Sequence, residues 1–145
     1  MTDLKPIFSE KAGDQEGRVV VDMDIFATGR VEISVHGTGS IEGMQAWTAS
    51  FNRAVEQVGP LEALWVRLDL ADFVGAPLPA QLTLVKWLIQ NQWRLTGMGL
   101  IGGDTGALRV ARAVHKLLPF QQRIVFYDDP EQLQSDIDAF ERSKT

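Results

Sequence analysis

The chain contains no cysteine. That excludes disulfides, thiol nucleophiles and cysteine-bound zinc or iron–sulfur centres. Histidine is nearly as scarce, with His36 and His115 the two examples. Neither sits in an H-E-x-x-H pattern, and no G-x-S-x-G turn offers a serine nucleophile. No apolar run approaches the ~20 residues of a membrane-spanning helix. The opening stretch MTDLKPIFSEKAGDQEG lacks the apolar core of a secretory signal, so a cytoplasmic location is the expectation. Basic residues are outnumbered, 14 Lys and Arg against 19 Asp and Glu, for a net charge of −5. That balance argues against a nucleic-acid partner.

What is present reads as one domain. The 145 residues are 45% hydrophobic and 23% charged, enough to bury a sizeable core without staples. Residues 1–17 are polar and without period, and read as a flexible lead-in; residues 18–141 form the domain and 142–145 a polar tail. RVVVDMDIF and RVEISVHG read as a β-hairpin turning at Ala27-Thr28-Gly29. Val31, Ile33 and Val35 alternate with Glu32 and Ser34, which marks one buried face.

A first helix follows Ser40 as N-cap and ends at Gly59-Pro60. ALWVRLDL, 63–70, suits a central strand covered on both sides. A loop, ADFVGAPLP, leads to a second helix from about Pro79 to Leu95. Met98 to Ile101 is the next strand. A third helix runs from about Asp104 to Leu118, RIVFY at 123–127 is the last strand, and Asp129-Pro130 opens a fourth helix with Gln132 placed for a capping box. A hairpin followed by alternating α and β implies a five-stranded mixed sheet, mostly parallel, with four helices.

This layout resembles the STAS domain, and more closely its SpoIIAA-like branch. The resemblance spans residues 18 to 141. It is carried by IGGDTGALRVARAVHKLLPFQQRIVFYDDPEQLQSDIDAF, and by WVRLDLADFVGAP as the central strand and following loop. The resemblance implies a non-enzymatic binding or regulatory fold, with an apolar ligand or membrane contact expected for the SpoIIAA-like branch. The phosphorylatable serine of the anti-sigma-factor antagonists falls at Pro77-Leu78, and no serine occurs between Phe51 and Ser135. The phosphoserine switch of that class is therefore missing.

The residues themselves point the same way. The second helix has apolar residues over more than the ~100° stripe a surface helix needs. Burial in its own core, a dimer interface, a pocket wall and membrane-surface contact all account for such a face. Trp47, Phe51, Leu84, Trp87 and Leu88 are the candidate wall for an apolar or lipid-like ligand, or for a protein partner or second copy. Arg109, Arg112 and Lys116 share one side of the third helix and form a candidate charged contact, against the plainer reading of a solvated face. No cofactor and no catalytic residue is expected.

The alternative is a metal-dependent enzyme or receiver-like domain using His36, Asp69, Asp72, Asp104, Asp128 and Asp129 at the strand ends. Against it, Asp104 and Asp129 stand where helix caps belong, and Tyr127-Asp128 occupies the place of a receiver's lysine. Gly102-Gly103-Asp104-Thr105-Gly106 matches neither G-x-G-x-x-G nor a Walker A pattern, and reads as a turn with a cap.

Overall fold

The computed structural model describes residues 5–144. The first four residues of the expected lead-in and Thr145 of the expected tail lie outside them. Among the described residues the elements run β1 (Phe8–Gly13), β2 (Val19–Ile25), β3 (Arg30–Thr38), α1 (Ile41–Val58), β4 (Leu64–Asp69), β5 (Phe73–Gly75), α2 (Leu78–Gln90), β6 (Leu95–Ile101), α3 (Thr105–Lys116), β7 (Ile124–Tyr127) and α4 (Pro130–Arg142). They build one sheet in the order β1-β2-β3-β4-β6-β7, with β5 added to the end of β3. The first three strands are antiparallel; β3, β4, β6 and β7 are parallel.

The sheet thus has seven strands, where the sequence pattern predicts five. β1 lies inside the stretch read as lead-in. It buries only Phe8 and Ala12, too sparse an alternation to show as a strand, and it is held by pairing such as Phe8↔Ile25. β5 is three residues long, Phe73–Gly75, and hides in the ADFVGAPLP loop. The second helix ends at Gln90, not Leu95: the Asn91 side chain donates to the Trp87 carbonyl at 2.9 Å and closes the last turn. The next strand accordingly starts at Leu95, with Leu64↔Leu95 as its first pair.

Helix starts follow their caps. Ser40, Asp104 and Asp129 accept from the backbone N–H of Gly43, Ala107 and Glu131, each at 2.9 Å. The expected capping box does not form, because the Gln132 amide donates to Asp136 instead.

Alternation along the strands sets two faces. Val19, Val21, Met23, Val31, Val66 and Leu100 point toward α1, α2 and α3. On the other side α4 covers the β6–β7 end, where Leu133 and Ile137 are fully buried. There the strand makes room for a large neighbour. A Cβ on Gly97 would sit 2.6 Å from Trp65 Nε1, and one on Gly99 would sit 2.7–2.8 Å from Leu133, Tyr127 and Trp65. Tyr127 donates its hydroxyl to Asp136 of α4. Burial and that carboxylate push its phenol well above the ordinary tyrosine range.

Candidate functional site: an apolar hollow under three helices

The sheet and its three covering helices do not close on each other. A cavity of about 180 Å³ remains between them. Its floor is the central sheet: Ile33 and Val35 of β3, Leu68 of β4, Leu100 of β6 and Phe126 of β7. Its roof is Met44 and Trp47 of α1, Leu84 and Leu88 of α2, and Val110 and Ala111 of α3. Central-strand side chains facing a helix layer are normally sealed. Here Ile33, Val35 and Leu68 remain partly accessible, because the space above them is empty. The lining is apolar apart from Ser40, Gln81 and His115. Ser40 caps α1, and the Gln81 amide donates to the Ala76 carbonyl at 2.8 Å.

A second hollow of about 40 Å³ adjoins it and shares Trp47 and Leu88 as walls. The aromatic cluster between α1 and α2 borders it. Trp47 and Trp87 meet edge to face with centroids 4.5 Å apart, and Phe51 and Trp87 at 5.2 Å. Arg94 lies here too, donating to the Leu61 carbonyl at 2.8 Å. Burial holds its guanidinium below the ordinary arginine value, while Glu62 acts in the opposite sense. The Trp47 indole N–H is buried without a hydrogen-bond partner among the described residues.

The expected wall residues therefore divide. Trp47, Leu84 and Leu88 line the larger hollow; Phe51 and Trp87 line the smaller. Of the other apolar residues of α2, Val85 is buried, while Leu78, Leu82 and Ile89 turn outward at 62%, 49% and 38% exposed. The floor residues escape the sequence reading. The alternation of Val31, Ile33 and Val35 tells which face they share, not whether that face is filled.

Arg109, Arg112 and Lys116 are exposed on the outer side of α3. Arg112 lies over the Phe126 ring, 4.4 Å from its centroid. The strand-end acids do other work. Asp104 and Asp129 cap helices, and Asp69 accepts from the Ala71 N–H at 2.8 Å. His36 sits between Asp72 and Asp22 on the opposite sheet face, at 3.0 and 3.1 Å. No group of three or more such side chains is arranged to hold a metal ion among the described residues. Nor is any described helix long and apolar enough to cross a membrane.

Among solved structures, the chain is similar to a protein of the DUF3478 family with a SpoIIAA-like fold from Shewanella loihica PV-4, with TM-score 0.59 and 14% identity, over 89% of this chain and 97% of that one. The fold is SpoIIAA-like. An anti-sigma factor antagonist from Mycobacterium paratuberculosis is also similar, with TM-score 0.53 and 14% identity, over 87% of this chain and 98% of that one. No protein-family model and no curated protein matches the sequence. In this SpoIIAA-like chain α2 begins at Leu78 with Pro77 at its N-cap, which makes no side-chain capping bond. Neither Pro77 nor Leu78 carries a hydroxyl.

Proposed function

We propose that this protein is a non-catalytic binding module that holds an apolar ligand in the hollow between its sheet and α1–α3. One observation carries the reading. A void of about 180 Å³ lies under three helices with almost purely apolar walls. Empty apolar space forfeits dispersion contacts and costs stability, roughly 24 cal/mol per Å³ in core-cavity series. A ligand that fills it recovers those contacts. Pockets of this kind, concave and apolar with few polar groups, are where small molecules bind.

The test is a titration with 1-decanol, a neutral apolar probe, followed by tryptophan fluorescence, since Trp47 borders the space. Saturable binding is expected, and Val35→Phe, which places a ring in the hollow, is expected to abolish it. No binding by the unmodified chain refutes the reading.

A protein partner is the second reading. It is favoured by Val74, Leu78 and Leu82, which are 63%, 62% and 49% exposed around the start of α2. The similar structure described as an anti-sigma factor antagonist fits a module that meets another protein. Leu82→Asp is expected to weaken such a contact without disturbing 1-decanol binding.

A further inference from the structure

Two of the three helices that roof the hollow, α2 and α3, lie in the basic stretch of an acidic chain, whereas α1 carries Glu42 and Glu56 against Arg53. From Phe73 to Tyr127 the sequence has six Lys or Arg and one acidic residue, Asp104; the rest of the chain has eight basic residues against eighteen acidic. Asp104 is engaged as the cap of α3. The α3 side of the hollow, with Arg109, Arg112 and Lys116 exposed, therefore presents a local cationic field, which concentrates anions near it.

The hollow itself has one ionisable side chain in its wall, His115. Its Nε2 lies 3.1 Å from the Gln121 carbonyl oxygen. A carbonyl only accepts, so Nε2 carries the hydrogen, and Nδ1 is left without a partner among the described residues. The His115 ring stands edge-on to Phe126, centroids 5.4 Å apart, and the Arg112 guanidinium covers the same ring. Arg112 has no carboxylate partner among the described residues. An unpaired cation and a free imidazole nitrogen thus share one aromatic side chain at the α3 wall of an apolar space.

Resting on the function proposed above, we infer that the ligand is an apolar chain ending in a single carboxyl group. The tail lies against Met44, Trp47 and Leu88, and the carboxyl sits at His115 beside Arg112. The carboxyl group and Nδ1 share one proton between them, and the guanidinium supplies charge-assisted donors to the carboxyl oxygens. Size agrees with a medium-length chain. An apolar cavity of about 150 Å³ accepts benzene, so the hollow of about 180 Å³ has room for the inner segment of a decanoate chain.

Calorimetric titration of the full chain with decanoate and with 1-decanol, at one pH and low salt, tests the assignment. Decanoate is expected to bind about tenfold more tightly than 1-decanol, the value of one charge-assisted contact. Arg112→Gln, which lies outside the lining of the hollow, is expected to remove that advantage and leave 1-decanol binding unchanged, and His115→Gln is expected to remove the same advantage. Arg112 is exposed and His115 half-buried, and the thermal melts of the two variants report whether they are folded. Equal affinities for the two ligands, or an Arg112→Gln variant that weakens both alike, overturn the carboxyl assignment while the apolar-binding reading stands. Failure of both ligands to bind overturns the two together.

Discussion

Trp47 of α1 meets Trp87 of α2 edge to face, with ring centroids 4.5 Å apart and planes at 70°. Phe51 closes on the same Trp87 ring at 85°. This contact is the seam between the two helices, with Trp47 in the wall of both hollows and Trp87 in that of the smaller. Trp87 is thus held inside the α1–α2 seam and is not a free outer surface. Truncating it removes aromatic contacts and joins space to an existing void. Trp87→Ala is expected to destabilise the fold by about 3 kcal/mol, read from urea unfolding at constant m.

Filling the larger hollow has the opposite sign. Val35→Phe puts a ring over the sheet floor, where empty space now costs contacts. The variant is expected to match or exceed the parent in stability by about 0.5–2 kcal/mol while losing the ligand. Destabilisation comparable to that of an overpacked core would show that the space is already closed in solution.

The glycines of β6 make the reverse prediction on the α4 side. A methyl at Gly99 meets Leu133, Tyr127 and Trp65 together, all within 2.8 Å. Gly99→Ala is expected to cost about 1–3 kcal/mol, even though alanine suits a strand better than glycine does. A neutral thermal-melt result would contradict the tight approach of Trp65 to this strand.

Acid sensitivity has an identifiable source. Burial acts to raise the Asp14 carboxyl, but the N–H groups of Val19 and Arg18 and the Arg18 side chain more than offset it and hold it below the ordinary value. Glu10 is lowered mainly by its hydrogen bond to Arg53. For groups with depressed folded-state values, the stabilisation is present above the unfolded values of 3.8 and 4.5 and is lost as pH falls below them. Melting temperature should therefore drop across that window, and Asp14→Asn should flatten the drop. At the other extreme the raised Tyr127 phenol removes stability as pH rises past 10.0, since the unfolded chain ionises there and the folded one does not. Tyr127→Phe should blunt that loss.

The parts of the fold that were legible in the sequence are those with local causes. The Ser40, Asp104 and Asp129 caps do in the structure what their residue types imply. Gly29 turns the hairpin with φ at 94°. β1 and β5 were not legible, because Phe8–Gly13 gains its order from pairing with β2, and Phe73–Gly75 from the end of β3. The same division holds at the site. An over-wide apolar face on α2 shows in the spacing of Leu84, Trp87 and Leu88. The hollow does not, since it depends on how far three helices stand off the sheet, which no single segment encodes.

Native mass spectrometry of the freshly purified chain beside Val35→Phe distinguishes an occupied hollow from an empty one. A retained apolar molecule is expected on the unmodified chain and none on the variant. A bare mass for the unmodified chain that stays bare after incubation with 1-decanol, or an adduct that the filled variant keeps, would contradict binding in the hollow.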